Sequence, residues 1–583
     1  MLRILDAPSL RPPLGPAARL LGLALLLAGP LSIGSPLQAQ HDHQASGADS
    51  TAGPAWRMPP MPMSMPMLPP LMGQTPELSP WLPGEGVDPA DLPEARPAEV
   101  HRLADGDTLE LEAGLVRREI RDRTFVMYGY NAQYPGPLIH VDQGATITVV
   151  FRNSLEKPST IHWHGLRLDN RFDGVPDVTQ EAVEPGESFV YTVHFPDAGL
   201  YWYHPHVRSD SQQDLGLYGN MLVDAERSDY WNPVNREEVV VLDDLLIDDD
   251  GLFPYGEERA THALMGRFGN VLLVNGSPSY ELEVDRGEVV RFLLTNVSNT
   301  RTYNLVLEGA ETKIVGADVG LYEQEEMVGS VVIGPAQRYI VEALFEEPGT
   351  YALTNSIQAV DHFRGEFVSR VDTLGTVRVA EAEPEESHLS AFESLREGPG
   401  VAEDLEAFRE HFDRPVDHEL ELTVRAGDLP RTMVNVMSMD TLYTPPVEWN
   451  DVMPMMNYLS TGDNLTWILR DPATGNVNEE IHWTFTEGDV ARIRIHNLER
   501  SFHPMHHPIH LHGQRFLILS RDGVPNDNLV WRDTAIVPVG STFDLLLDAS
   551  NPGDWLLHCH ISEHIESGMK MVFTVEPSDE EAP

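Results

Sequence analysis

The sequence predicts an all-β protein built from three tandem Greek-key β-sandwich domains. One observation is texture: short apolar runs of strand length lie between turns rich in glycine and proline, as in "ATITVVFRNS" (145–154), "SFVYTVHF" (188–195) and "GLYWYHPH" (199–206). Such runs, alternating or continuously apolar, suit strands packed on one or both faces, and their density suits a sandwich. The other observation is recurrence. "GATITVVFRNSL" (144–155), "GEVVRFLLTNVS" (287–298) and "GDVARIRIHNLE" (488–499) each open on glycine, run as a strand and reach an asparagine. Three widely spaced copies indicate three related domains, and 583 residues exceed what one core organises.

Taken in order, residues 1–40 read as an export signal. Arg3, Arg11 and Arg19 precede the apolar run "LLGLALLLAG" (20–29), and a small-residue exit follows near "LQAQ" (37–40). The run is short for a permanent spanning helix, and no second stretch approaches membrane length. The expected location is therefore periplasmic or secreted, without a stable membrane anchor. Residues 41–94 form a lead-in whose core is "MPPMPMSMPMLPPLMG" (58–73). Its prolines rule out a sheet or a regular helix. Its thioethers suit monovalent copper, or equally a cover for an apolar patch of a neighbouring domain.

The three sandwiches are expected at 95–235, 236–385 and 417–578. An acidic linker at 386–416 separates the last two, within "EAEPEESHLSAFESLREGPGVAEDLEAFREHF" (381–412), where helix-compatible stretches are broken at 398–400 and no catalytic residue is expected.

A formal net charge of −51 disfavours nucleic acid, whose phosphates would be repelled, and favours cations as partners. Lysine occurs only at Lys157, Lys313 and Lys570. An acidic, lysine-poor surface suits a salty habitat or reflects base composition, and speaks to solubility rather than fold. The single cysteine, Cys559, can form no disulfide within the chain. Taken alone it reads as a buried apolar thiol.

Its neighbours change that reading. Histidine repeats at spacing two in "HWH" (His162, His164), "HPH" (His204, His206), "HLH" (His510, His512) and "HCH" (His558, His560). On a strand, residues i and i+2 share a face, so each motif offers paired imidazoles. Two motifs in the first sandwich and two in the third suit a cluster of several metals at their interface, and imidazole suits copper, zinc and iron. If His558 and His560 face one way, Cys559 faces the other. With His507, His564 and Met569 nearby, that side carries two imidazoles, a thiolate and a thioether, the ligand set of a blue-copper centre.

On "HWHG", "HPH", "HPIHLHG" and "HCHISEHIESGM", in this order, the chain resembles the three-domain multicopper oxidases, laccase-like enzymes built from cupredoxin sandwiches; the resemblance runs from about Ala95 to Val575. It implies four copper ions. His507, Cys559 and His564, with Met569 axial, match the type 1 ligands. His162 and His510 match the type 2 ligands, and His164, His204, His206, His512, His558 and His560 those of the type 3 pair. The implied reaction is one-electron oxidation of phenolic or aromatic amine donors coupled to four-electron reduction of dioxygen to water, with Cys559 both ligand and electron path.

Asp173, in "RFDGVPDVTQ" (171–180), matches an acid that assists proton delivery near the type 2 site, and also reads as a turn aspartate before Gly174. Many bacterial relatives place an acid directly after the second type 1 histidine. Here that place is Ile565, which leaves Glu566 as a substitute. His503 and His506 fall outside the ligand positions and read as supporting or surface residues. Methionines in "NVMSMD" (435–440) and "VMPMMNY" (452–458) suit packing or a soft path for cuprous ion. Oxidation of cuprous or other metal ions in copper tolerance is the alternative activity. A copper-binding protein without turnover is disfavoured, because storage needs no wired pair of sites.

Overall fold

The computed structural model describes residues 79–361, 366–427 and 460–578, together with 429, 439–440, 447–449 and 456–457. The expected export signal, the methionine-rich run and most of the 435–458 methionines lie outside the described residues; Met439 and Met456 lie within them, and Met456 is buried.

Six sheets, two per sandwich, account for most of the strands. In the first sandwich a four-stranded sheet centred on Thr108–Ile120 and Thr146–Asn153 faces a five-stranded sheet that ends in Gly199–His204 and His162–His164. The second carries two six-stranded sheets, one of them completed by Val447–Glu448 from beyond the acidic stretch, and the third a six-stranded and a five-stranded sheet. Each has its own apolar core of inward-facing Val, Leu, Ile and aromatic side chains.

The recurrent phrase occupies one equivalent place in all three. Thr146–Asn153, Glu288–Asn296 and Asp489–Asn497 each pair in parallel with an earlier strand of the same sandwich, Thr108–Ile120, Arg236–Leu245 and His418–Ala426. Each pairs antiparallel on its other edge, with Ser188–His194, Arg338–Phe345 and Thr542–Ala549. The leading glycines Gly144, Gly287 and Gly488 have φ of 83°, 84° and 89°, the left-handed region that other residues rarely enter. The closing asparagines are clips. Asn153 Nδ2 donates to the carbonyls of Lys157 and Val183, Asn296 Nδ2 to Arg301 and Ile333, and Asn497 Nδ2 to Met505 and Val537, all at 2.7–3.0 Å. In the first and third sandwiches the clipped loop leads straight into a histidine-bearing strand, His162–His164 or His507–Leu511.

Helices are few and short. Leu389–Glu393 and Val401–Arg409 fall in the acidic stretch, with Gly400 at φ 81° starting the second. Three more, Ser209–Gln212, Arg259–Met265 and Ser562–Glu566, pack together beside the histidines. No described helix is long and apolar enough to cross a membrane.

Candidate metal centre

The sequence places each His-x-His motif on a strand, but only His162–His164 lies wholly on one. The other three straddle strand ends: Gly199–His204 stops before His206, His507–Leu511 before His512, and Gly553–Cys559 before His560. Alternation is therefore enforced only up to the last paired residue, and the following imidazole is aimed by the turn. All eight rings nonetheless converge. His162 lies opposite His204 in one sheet, and His510 opposite His558 in another. Across the two sandwiches, His162 stacks on His512 with centroids 3.9 Å apart, and His164 on His510 at 3.7 Å. His560 completes the ring 5.1 Å from both His164 and His204, and His206 and His558 lie 5.1 Å apart.

Cys559 points away from this cluster. Its Sγ lies 3.4 Å from His507 Nδ1 and 3.6 Å from His564 Nδ1, and all three residues are buried. Met569 is buried beside them, and its carbonyl accepts from the Cys559 amide. Trp467 stacks on His564 with centroids 3.9 Å apart, and its indole N–H donates to the carbonyl of Ala263, which ties the helix Arg259–Met265 over the group.

Hydrogen bonding shows whether these residues suit a metal. In six of the eight cluster rings one nitrogen is committed to a protein oxygen. Nδ1 of His162, His204, His510, His512 and His558 meets, respectively, Asp173 O, Pro205 O, Asp533 O, Asp173 Oδ2 and Cys559 O, at 2.8–3.1 Å. His164 is the exception, with Nε2 held by Asp533 Oδ1 at 3.1 Å. An oxygen acceptor fixes the proton on the nitrogen it meets and leaves a lone pair on the other. Those other nitrogens, Nε2 of His162, His204 and His510 and Nδ1 of His164, are buried without a hydrogen-bond partner, as are Nε2 of His206 and His560. His512 Nε2 and His558 Nε2 face each other at 3.0 Å, both with their proton on the far side. Convergent lone pairs of this kind need a cation.

Protonation agrees. Burial, and then crowding by neighbouring imidazoles, holds His164, His204, His206, His510, His512 and His560 well below the ordinary imidazole range. Burial lowers His558 to about 3 and also depresses His507 and His564. All are neutral, as ligands must be. Burial pushes the Cys559 thiol up, so a thiolate persists here only against a bound cation. The donor set of imidazoles plus one soft sulfur suits copper.

Asp173 is fully buried, with Oδ1 3.2 Å from His162 Nδ1 and Oδ2 2.9 Å from His512 Nδ1. It also caps the 3-10 turn Asn170–Phe172 and precedes Gly174 at φ 84°, so the turn reading and the site reading describe one residue. Glu566 is exposed, its carboxylate 4.0 Å from Arg208, and among the described residues it makes no hydrogen bond to an imidazole. It shares a cavity of about 130 Å³ with Asp210 and the buried Glu563, which burial and nearby Asp210 raise to about 8. His506 donates to or accepts from Thr302 Oγ1, and His503 packs on Trp449; among the described residues neither joins a ligand group. Sequence reasoning missed Asp533 and Arg338. The signal available was an acid at the head of the otherwise apolar strand "TAIV", Thr534–Val537.

Three multicopper oxidase models match residues 116–228, 225–379 and 436–579, together more than half of the chain. The chain belongs to the multicopper oxidase family. It is 26% identical over 484 residues to the iron transport multicopper oxidase fetC of Epichloe festucae, covering 77% of this chain and 73% of that one. It is 25% identical over 498 residues to Laccase-2 of Cryptococcus neoformans, covering 78% and 81%. A multicopper oxidase of Pseudomonas thermotolerans superposes with a TM-score of 0.59 at 27% identity, covering 82% of this chain and all of that one. The protein is thus a copper-dependent oxidoreductase of three cupredoxin-like sandwiches, using dioxygen and a reducing donor.

Proposed function

We propose that this multicopper oxidase is laccase-like, taking electrons from phenolic or aromatic amine donors at a type 1 centre that His507, Cys559, His564 and Met569 would hold. In this reading His162 and His510 hold type 2 copper, and His164, His204, His206, His512, His558 and His560 hold the type 3 pair. The observation that carries it is the single strand end at which Cys559 faces one ligand group while His558 and His560 face the other. Bound copper supplies the one-electron steps and gathers the four electrons that dioxygen needs. The chain supplies the rest: two peptide links join the thiolate to the cluster, burial excludes water, and Asp173 holds two imidazoles and passes protons. Glu566 serves as second proton donor, supported by its lining the same cavity as the buried Glu563. Domain limits at 95–235, 236–385, 386–416 and 417–578, and export directed by residues 1–40, belong to the same reading.

A metal-ion donor is the second reading, favoured by that cavity. The helix carrying His564 presents Glu563 and Glu566 to it, with Asp210 opposite. The cavity's arginines are already engaged, Arg208 with Asp210, Arg267 with Asp214 and Arg259 with Asp463. A donor panel on copper-loaded protein separates the two. Blue protein should consume oxygen with phenols and aromatic amines; uptake only with ferrous, manganous or cuprous ions moves the assignment to metal oxidation. Colourless protein with no uptake refutes both. In the same panel, a chain lacking residues 58–72 that loses only cuprous oxidation supports a soft-metal route.

A further inference from the structure

We infer that Asp533, gripped by Arg338 of the second sandwich, is the positioning residue that sets His164 and His510 for the metal, so that the middle domain helps to assemble a centre to which it contributes no ligand group among the described residues. The inference rests on reading the eight imidazoles as a copper cluster.

It begins from the exception at His164. Five cluster rings are committed through Nδ1 and offer Nε2, whereas His164 is committed through Nε2 and offers Nδ1. A neutral imidazole chooses its tautomer by the acceptor it meets, and the acceptor here is Asp533 Oδ1 at 3.1 Å, with Thr534 Oγ1 at 3.3 Å. The same aspartate fixes His510 the ordinary way round, since its backbone carbonyl lies 2.9 Å from His510 Nδ1. One residue therefore sets two rings in opposite senses. Those two rings stack at 3.7 Å, so an error in either displaces both.

Asp533 is fully buried, and a buried carboxylate is stable only when paired and hydrogen-bonded. Arg338 provides this with a two-pronged grip, Nη1 to Oδ1 at 2.8 Å and Nη2 to Oδ2 at 2.5 Å. Arg338 is itself immobilised. Its Nε donates to Leu200 O at 2.9 Å, on the first-sandwich strand that carries His204, and its Nη1 lies 3.3 Å from Asp318 of its own sandwich. A single guanidinium thus touches all three sandwiches. The chain makes room for it at Gly165, directly after His164. A Cβ there would lie 2.6 Å from Asp533 Oδ2 and 2.7 Å from Arg338 Nη2.

The test uses full-length, copper-loaded Arg338→Lys and Asp533→Asn. Lysine keeps the charge but loses the planar fork; asparagine keeps the shape but loses the charge and turns a donor toward either His164 or Arg338. The readouts are copper retained against a graded chelator, the blue absorption of the type 1 centre, and the type 2 electron paramagnetic resonance spectrum. Expected is a 10- to 100-fold weaker hold on cluster copper, the usual effect of losing a ligand's outer partner, with an altered type 2 spectrum and an unchanged blue band. Arg338→Lys should show the smaller loss, and it decides the matter if Asp533→Asn does not fold. Wild-type copper content and spectrum with only a lower unfolding temperature would make the pair a plain interdomain ion pair and overturn the inference. Equal losses from both sites would overturn it too, as general loosening. If wild-type protein itself holds no cluster copper, the underlying cluster reading is what fails.

Discussion

At the scale of single residues, Cys559 shows how neighbours redefine a side chain. A lone buried thiol is ordinarily inert, and burial does hold this one protonated. What distinguishes it is a pair of neutral imidazoles at 3.4 and 3.6 Å, a cation site that sulfur alone can complete with a soft donor. Serine has nearly the same size and no such softness. Cys559→Ser should therefore bind one copper fewer per chain, be colourless, and lose donor-driven oxygen uptake to the background rate while the imidazole cluster keeps its metal. Metal analysis with absorption spectroscopy checks this, and a blue, active serine variant would refute the assignment. The helix Ser562–Glu566, which carries His564, also shows why sequence reasoning passed over a second acid beside the site. Glu563 and Glu566 stand three residues apart on Ser562–Glu566 and so share one helix face. The resemblance points to an acid after His564 and so to Glu566, whereas the packing of Ser209–Gln212 and Arg259–Met265 beside this helix accompanies the burial of Glu563.

At the scale of elements, the glycine-strand-asparagine phrase is legible as a repeat, and its strands lie where the apolar runs put them. Its purpose is not legible, because the carbonyls that each asparagine clips lie on loops and on strands up to 40 residues away. Likewise, paired imidazoles follow from spacing, but three of the four pairs run off their strands, and the oxygens that fix six of the rings lie in turns and at strand ends. Asp533 and Arg338 stand 195 residues apart, a separation at which no local pattern operates. The asparagine clip can be tested against itself. Asn497→Ala leaves the buried carbonyls of Met505 and Val537 unpaired, and Asn296→Ala does the same to Arg301 and Ile333. Each should cost about 2–6 kcal/mol, from about 1–3 kcal/mol for each of two unsatisfied groups. Only Asn497→Ala should also weaken the blue centre, because Met505 stands two residues before His507. Denaturant unfolding of metal-free protein and copper retention separate the effects; equal copper loss in both variants would count against a local role for the clip.

At the scale of the whole molecule, the cost of a metal-ready interior is a dependence on pH. The metal-free fold buries His164, His204, His206, His510, His512, His558 and His560 in neutral form, and His506, His507 and His564 beside them, all held below the ordinary range chiefly by burial. In the unfolded chain these rings take up protons near pH ~6.5. Below that pH the unfolded state binds more protons than the folded one, so stability falls as the medium becomes more acid. Carboxyls raised by burial act the other way: Asp214 and Asp318, raised to about 6, Asp243 and Glu566, raised to about 7, and Glu563, raised to about 8, are protonated in the fold before the unfolded chain protonates them, which favours folding as pH drops toward ~4. They are fewer than the rings, so the imidazole contribution wins between pH ~6.5 and ~5. Metal-free protein should therefore unfold at progressively lower temperature across that interval. Copper should raise the unfolding temperature most at neutral pH, where every lone pair is available, and least at its acid end, where protons compete for released ligands. Calorimetric scans of metal-free and copper-loaded protein across pH 7 to 5 read both effects, and a metal-free unfolding temperature that rises on acidification would show that the carboxyls, not the ligand rings, govern the fold.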